Sequence, residues 1–333
     1  MPKFSYLLKS LRAMVFVAGL FPAVACCAPD LGGADPLAVT AGSKSKKAAS
    51  APAKPMPKKV AVPAKPAPAA KPAKPATLAR EPYLGAIVVD ADSGQTVFED
   101  RADAQGYPAS VLKLMLLLTA MEQIRDGRLT LQDEVPVSAR AVLNEGADLQ
   151  LKEDEVFTAE DMLYALMIHS ANDAAVAMAE KLGGSVEGYL AHINRRAQEL
   201  GMKNSHFVSP SGLGPANPGE PHDLTTPRDL SLLCMEILKH PEALRFTSAR
   251  DRIFRPDGGA RRVKMETHNY ILDSVKGCDG LKTGYIRAAG YCIAGTAKRG
   301  DRRLVVVILG ATSETSRNKW AGKLLDKGFI TVP

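Results

Sequence analysis

Ser110 and Lys113 stand three residues apart at the start of an apolar run, YPASVLKLMLLLTAM at 107–121. Residues with this spacing share one face of a helix, and a serine at a helix N-terminus meets the positive end of the helix dipole. A lysine held among apolar side chains has its ammonium form disfavoured, so it can act as a neutral base. Together the two side chains would form an activated nucleophile that needs no histidine.

The same spacing occurs twice more, at Ser43/Lys46 and at Ser316/Lys319, so the spacing alone is weak evidence. Ser110 differs from the other two serines because it stands at a predicted helix start in an apolar setting. Either the pair is an accident of composition at a helix N-terminus, or it belongs to a larger set of functional residues.

Two further motifs follow in the chain. HSANDA places a hydroxyl and an amide, those of Ser170 and Asn172, at the join of two apolar helical runs. DGLKTGY places Lys282, Thr283 and Gly284 on a predicted strand, where a glycine lets another backbone approach closely. S-x-N also recurs by chance in the last predicted helix, but all three motifs in this order are the signature of serine β-lactamases and penicillin-binding proteins.

With these motifs the chain resembles the low-molecular-mass penicillin-binding proteins, D-alanyl-D-alanine carboxypeptidases of the S11 peptidase type. The similarity runs from about residue 82 to residue 333 and includes SANDAAVAMAE, ELGMKNSHFVSPSGL, HNYIL and DGLKTGYIRAAGYC. The resemblance implies an enzyme that trims peptidoglycan stem peptides ending in D-Ala-D-Ala through an acyl-enzyme. It also implies that β-lactam antibiotics bind as covalent inhibitors.

In the first two motifs the resemblance assigns catalytic roles to Ser110, Lys113 and Ser170, and a substrate-binding role to Asn172. Ser110 would be the acyl-enzyme nucleophile, and Lys113 would accept its proton. Ser170 and Asn172 would lie on the opposite wall, where the Ser170 hydroxyl would help to relay a proton to the leaving D-alanine.

The strand motif and the last helix would bind the substrate. By the same resemblance, Lys282 would contribute positive charge, while Thr283 and the strand backbone at Gly284 would align the peptide. The oxyanion hole would be formed by the backbone N–H groups of the nucleophile and of Tyr285. Arg317 would receive the terminal carboxylate, which a guanidinium fits in a bidentate manner, although a solvated residue at a helix start is the alternative.

Two departures from the family pattern leave the substrate open. The family often has Thr or Ser two places after K-T-G, whereas here Ile286 stands there, followed by Arg287. Loss of that hydroxyl is expected to weaken carboxylate binding. The sequence also ends at Pro333, without the β-rich domain and anchoring helix of many relatives, as in endopeptidase-type members. A peptidoglycan D,D-endopeptidase that cuts cross-links is therefore the alternative.

Three other functional classes fit the sequence less well. A class A β-lactamase would need a Glu in an E-x-x-L-N loop after S-x-N, and Glu199 in AQELGM is expected at a helix end instead. A non-catalytic penicillin-sensing or peptidoglycan-binding module would be expected to have lost part of the three motifs. A nucleic-acid partner is not expected, because the positive charge belongs to a tail.

That tail accounts for the net charge of +7: residues 36–80 carry +10 and the first 35 carry +1, which leaves −4 for the remainder. The first 25 residues read as a signal peptide, with a basic start, an apolar run and Ala23-Val24-Ala25 as a cleavage site. Residues 26–80, rich in Ala, Lys and Pro, are predicted to be a disordered linker. The expected location is periplasmic or cell-envelope, with membrane contact only if this segment is retained or lipidated at Cys26.

The cysteines and histidines predict neither a metal site nor a disulfide framework. Three of the five cysteines, Cys234, Cys278 and Cys292, lie in the domain, with no C-x-x-C spacing. The six histidines show no H-E-x-x-H pairing. We therefore expect no metal and no cofactor.

The elements that must position the motif residues suggest an α/β (α+β) fold over 81–333, the predicted catalytic domain. YLGAIVVDADSGQTVFED predicts a hairpin at the start of the domain, and the sequence after about residue 275 again has the pattern of β-strands. Helices are predicted between them, with Thr158 as one N-cap, Thr226 before Pro227 as another, and a last helix from Ser316. The pattern favours one five-stranded antiparallel sheet built from both ends of the domain, with a helical region packed against it, as the resemblance also implies.

Overall fold

The computed structural model of the chain describes residues 78–143, 146–215, 219–255 and 261–331. The predicted signal peptide at 1–25, Cys26 and nearly all of the predicted linker lie outside the described residues. No helix of the described ranges is long and apolar enough to span a membrane.

A five-stranded antiparallel sheet forms the centre of the domain. Its strands are β1 (Gly85–Asp90), β2 (Thr96–Asp100), β7 (Cys278–Ile286), β8 (Gly290–Arg299) and β9 (Arg302–Ala311). The strand order is β2-β1-β9-β8-β7, so the N-terminal hairpin joins the C-terminal meander through the β1–β9 pair. The predicted sheet, built from both ends of the domain, is confirmed, and β7 lies at one edge.

The sheet is buried on both faces, which explains the apolar sequence RRLVVVILGA of β9. Val305, Val307 and Leu309 contribute to the main hydrophobic core. The alternate residues Val306 and Ile308 contribute to a second core on the opposite face. Successive side chains of a strand point to opposite faces, so a strand with both faces covered is apolar throughout.

Helices cover both faces. They are α1 (Lys113–Arg125), α2 (Ala139–Val142), α3 (Ala159–Tyr164), α4 (Asn172–Gly183), α5 (Val186–Glu199), α6 (Pro227–Leu238), α7 (Leu244–Thr247), α8 (Ile271–Ser274) and α9 (Glu314–Thr331). The caps read from the sequence are confirmed, since Thr158 and Thr226 accept hydrogen bonds from backbone N–H groups three residues on. α9 contributes Leu325 to the second core, while α1 lies in the main core.

Two small sheets lie outside the predicted elements. β3 (Glu134–Pro136) pairs with β4 (Val156–Thr158), and β5 (Asp251–Phe254) pairs with β6 (Val263–Glu266), both antiparallel. With three or four residues each, these strands are too short to show an alternating pattern in the sequence.

Candidate active site

Ser110 lies in a short 3₁₀ turn, Ala109–Leu112, that leads directly into α1. Ala109 has a φ of +48°, a left-handed conformation that costs energy for a residue with a Cβ. Such strain is held in place by the surrounding structure and is common at functional sites. Ser110 itself is half-buried, and its hydroxyl faces Lys113.

Lys113 is fully buried, and its Nζ has three hydrogen-bond partners. Nζ lies 2.9 Å from Ser110 Oγ, 2.8 Å from Asn172 Oδ1 and 3.0 Å from the carbonyl oxygen of Ser211. An amide oxygen and a backbone carbonyl can only accept hydrogen bonds. A neutral amine therefore donates its two N–H groups to these oxygens and keeps its lone pair for the Ser110 hydroxyl.

The surroundings of Lys113 favour this neutral form. Burial is the largest cause that lowers the pKa of Lys113 well below its ordinary value, and the charge of Lys282 lowers it further. The carboxylates of Asp173 and Asp223 act in the opposite direction. The balance is that expected of a general base, as the sequence predicted.

The second motif lies where two helical segments meet. A π-helical turn at Ala165–His169 ends at Ser170, whose φ is +63°, and α4 begins at Asn172. Ser170 lines the cleft beside Ser110. Asn172 is buried, and its side-chain oxygen accepts a hydrogen bond from Lys113 Nζ. The sequence analysis placed Asn172 among the substrate-binding residues, whereas this contact indicates that it orients the base.

The third motif lies on the edge strand β7. The Nζ of Lys282 is buried and donates to the carbonyl oxygen of Thr283 at 2.9 Å. Burial, and secondarily the charge of Arg317, lowers the pKa of Lys282 to about 7. A Cβ added to Gly284 would lie 2.8 Å from the amide nitrogen of Ser110, closer than real Cβ atoms approach. Glycine is therefore required where β7 packs against the turn that holds the nucleophile.

The remaining predicted residues complete the same cleft. Tyr285 is half-exposed, and its ring packs 4.4 Å from that of Tyr291, its partner on β8. Arg317 is buried in the first turn of α9 and lies 6.0 Å from the centre of the Tyr291 ring. The cleft has a volume of about 260 Å³ and is lined by Ser110, Ala147, Ser170, His268, Lys282, Thr283, Gly284, Tyr285, Tyr291, Glu314 and Arg317.

Sequence reasoning missed several of these residues. Ser211 acts through its carbonyl, which no side-chain pattern reveals, although it lies in the SPSGL segment that carries part of the resemblance. Its loop is fixed by the buried Asp223, which accepts hydrogen bonds from the backbone N–H groups of Val208 and Ser209. Tyr291 lies in DGLKTGYIRAAGYC, which carries part of the resemblance, but it was assigned no role, and Glu314 belongs to no motif that the sequence analysis used.

Other features of the described ranges lie apart from this cleft. A larger cavity of about 590 Å³, lined by Leu232, Met235 and Arg303 among others, contains none of the motif residues. Glu199 is the last residue of α5 and pairs with Arg196, so it is at a helix end as expected. Within the described ranges, no group of three His, Cys, Asp or Glu side chains is arranged to hold a metal, and the three cysteines there are free.

Comparison with known proteins shows the family to which the chain belongs. The sequence profile of the D-alanyl-D-alanine carboxypeptidase family matches residues 73–313, a range that contains the three motifs and ends before Arg317. The D-alanyl-D-alanine carboxypeptidase DacF of Bacillus subtilis is 32% identical over 244 residues, which are 73% of this chain and 61% of DacF. DacC of Escherichia coli is 30% identical over 251 residues, 73% of this chain and 60% of DacC. The chain thus spans about three fifths of the length of these two relatives.

Solved structures share the fold. Penicillin-binding protein D2 of Listeria monocytogenes, in its ampicillin-bound form, superposes with a TM-score of 0.66 at 30% identity. The match covers 74% of this chain and 98% of that protein. The arrangement of sheet and helices is therefore the fold of the DD-peptidases, which is β-lactamase-like. By its sequence and its fold, the chain belongs to the D-alanyl-D-alanine carboxypeptidase family, the serine peptidases of family S11.

Proposed function

We propose that the protein is a serine-type D-Ala-D-Ala carboxypeptidase that removes the terminal D-alanine of peptidoglycan stem peptides. The observation that carries the proposal is the environment of Lys113. Asn172 Oδ1 and the Ser211 carbonyl oxygen can only accept hydrogen bonds, so a neutral Lys113 donates to both and directs its lone pair at Ser110 Oγ. A buried, neutral lysine in this position is the general base that a serine nucleophile requires.

In the proposed reaction, Ser110 Oγ attacks the carbonyl carbon of the penultimate D-alanine while its proton passes to Lys113. The backbone N–H groups of Ser110 and Tyr285 would stabilise the oxyanion that develops. As the C–N bond breaks, the Ser170 hydroxyl would relay a proton to the leaving amine. Water then hydrolyses the acyl-enzyme ester, and Ser110 regains its proton.

The other residues of the cleft would hold the substrate. The edge of β7 that faces away from β8 offers backbone groups to an extended peptide, which Thr283 would help to align. Lys282 and Arg317 supply positive charge to a cleft that must accept a peptide carboxylate. β-Lactam antibiotics, one of which is bound in the related protein D2, would acylate the same serine.

The N-terminal sequence supports a location in the cell envelope. We propose that residues 1–25 direct export, that residues 26–80 act as a basic tether, and that residues 81–333 form the catalytic domain. Peptidoglycan lies outside the cytoplasmic membrane, so an exported enzyme would meet its substrate there. Membrane contact would follow only if the first segment is retained or lipidated.

One observation favours a second candidate, a D,D-endopeptidase. Glu314 lines both the catalytic cleft and an adjacent groove of about 590 Å³ along α9. Tyr270, Lys319 and Lys323 line that groove, which offers room for residues beyond the terminal D-alanine of a cross-linked peptide.

Incubation of the full chain with purified muropeptides, followed by mass spectrometry, tests the proposal. We expect pentapeptides to lose one terminal alanine, and Ser110→Ala to abolish the loss. Cleavage of cross-linked dimers with intact pentapeptides would instead establish the second candidate. Rapid steady-state hydrolysis of nitrocefin, rather than a stoichiometric burst, would contradict both in favour of a β-lactamase.

A further inference from the structure

Arg317, the cation that would receive the substrate carboxylate, is already bound to a carboxylate of this chain. Its Nη2 donates to Glu314 Oε1 at 3.0 Å and lies 3.4 Å from the carbonyl oxygen of His268. Its Nε donates to Asn318 Oδ1 at 3.0 Å. Among the described residues, Nη1 makes no hydrogen bond, so a second anion would share the guanidinium with Glu314.

The sequence fixes the position of Glu314. It is the first residue of α9 and stands three positions before Arg317, so both side chains lie on one face of the helix. A carboxylate in the first helical turn is also stabilised by the helix dipole. Glu314 lines the catalytic cleft, and its side chain keeps 43% of its accessible surface, whereas that of Arg317 keeps 2%.

This pairing has opposite effects on the free protein and on substrate binding. Burial disfavours the guanidinium and lowers the pKa of Arg317, and Glu314 partly offsets that effect. Arriving substrate would bring a second carboxylate to the same cation. The two carboxylates would repel each other in a partly desolvated cleft, where the interaction of charges is stronger than in water.

We propose that Glu314 is a specificity-determining residue that competes with the substrate's terminal carboxylate for Arg317. Its presence reduces the preference of the cleft for peptides that end in a free carboxylate over peptides that continue beyond D-alanine. This inference rests on the proposed function, because it takes the Ser110 cleft as the site that binds the peptide.

Hydrolysis of two matched peptides tests the inference. One is a blocked tripeptide ending in D-Ala-D-Ala, and the other is the same peptide with its terminal carboxylate amidated. We expect Glu314→Gln to raise kcat/KM for the acid about threefold to fivefold, the upper part of the range for loss of one partly exposed competing charge, and to change the amide less than twofold. The matched control is Asp326→Asn, which removes an exposed carboxylate from the same helix and should change neither value.

An unchanged or lower kcat/KM of Glu314→Gln for the acid, or an equal gain for both peptides, would overturn the inference. Glu314→Asp keeps the charge and should resemble the wild type, which separates a charge effect from loss of helix stability. Thermal unfolding of each variant would verify folding.

A binding measurement keeps this test separate from that of the proposed function. In a Ser110→Ala background, where the nucleophile is absent, titration calorimetry would follow binding of N-acetyl-D-Ala-D-Ala. Glu314→Gln should tighten binding severalfold in that background. Equal or weaker binding would contradict the role of Glu314 whatever the catalytic activity, whereas failure of the wild type to hydrolyse any peptide would contradict only the proposed function.

Discussion

At the scale of single residues, the direction of proton transfer depends on which atoms surround Lys113 Nζ. Two of its three partners, Asn172 Oδ1 and the Ser211 carbonyl, hold no proton to give. The third is the hydroxyl of Ser110, which can also donate. When the amine loses its charge, this is therefore the one of the three contacts in which donor and acceptor can exchange roles. The geometry thus gives the base a defined orientation before substrate arrives.

Replacement of Asn172 by Asp tests this orientation. The change keeps the shape of the side chain but puts a negative charge 2.8 Å from Nζ, if the contact is maintained. A carboxylate at that distance raises the pKa of a lysine by about one to three units, which favours the protonated form of Lys113 that cannot accept a proton. We expect the rate of acylation by fluorescent penicillin to fall roughly a hundredfold at neutral pH.

The fall should diminish as the pH is raised, because Lys113 then loses its proton again. Asn172→Ala is the control: it removes the same acceptor without adding charge, and should reduce the rate less. If the two variants showed the same loss at every pH, the charge state of Lys113 would not control acylation.

The residues with diagnostic side chains could be predicted from the sequence. Ser110, Lys113, Ser170 and Lys282 were predicted from ordered motifs, and the structure brings all four together. Ser211 could not be predicted, because a backbone carbonyl carries no signature of its own. Glu314 was missed for another reason: an acid in the first turn of a helix is ordinary, and only its contact with Arg317 distinguishes it.

At the scale of elements, the cleft depends on how closely β7 packs against the 3₁₀ turn before α1. Gly284 faces the amide nitrogens of Ser110 and Val111, at 2.8 and 2.9 Å from the position that a Cβ would take. The oxyanion hole that we propose needs N–H groups from both elements. Their separation therefore sets how well the transition state is stabilised.

Gly284→Ala should push β7 away from the 3₁₀ turn that holds Ser110, because the added Cβ would lie too close to the Ser110 amide nitrogen. We expect acylation by penicillin to slow by at least about a hundredfold, the effect of losing one oxyanion donor, together with a lower melting temperature. The control is Gly94→Ala in the turn between β1 and β2, where no atom lies near the added Cβ but the φ of +72° is unfavourable. That variant should lose about 1 kcal/mol of stability and acylate normally. Normal acylation by Gly284→Ala would contradict the close-packing argument.

Elements with clear end signals were predicted well, and short ones were not. The Thr158 and Thr226 caps have side chains that satisfy backbone N–H groups, and both helices begin where these residues predict. β3 to β6 pair through three or four residues each and depend on contacts distant in sequence. The π-helical turn before Ser170 was likewise not predicted, since the sequence analysis read this segment only as the join of two apolar helical runs.

At the scale of the whole molecule, two lysines of the described part of the domain are buried between the sheet and the helical region. Unlike the apolar residues around them, Lys113 and Lys282 are expected to reduce the free energy of unfolding, because burial disfavours their charged forms. The sequence predicted the sheet and a helical region packed against it; that a second core covers the opposite face of the sheet is a finding of the structure.

A pH series on Lys282→Met would measure this cost. The pKa of Lys282 is about 7 in the folded chain against an ordinary value of 10.5, so the unfolded chain binds more protons between these values. The destabilisation is therefore complete below pH 7 and disappears as the pH rises to 10.5. We expect the variant to be more stable than the wild type by roughly 4 kcal/mol at pH 7, at about 1.4 kcal/mol for each pKa unit less about 1 kcal/mol for the lost hydrogen bond, with the difference shrinking at higher pH.

Chemical denaturation at several pH values gives these free energies. Lys203→Met, at an exposed position, provides the control and should show no such trend. A Lys282→Met variant that is less stable than the wild type at pH 7 would show that the hydrogen bond of Lys282 outweighs the cost of burying its charge.

The central claim is that Ser110, activated by Lys113, forms a covalent acyl-enzyme. Intact-protein mass spectrometry after incubation with benzylpenicillin, followed by peptide mapping, tests it most directly. We predict one adduct per chain, located on Ser110, no adduct on Ser110→Ala, and an adduct that forms far more slowly on Lys113→Ala. An adduct on another residue, or one that persists on Ser110→Ala, would contradict the account.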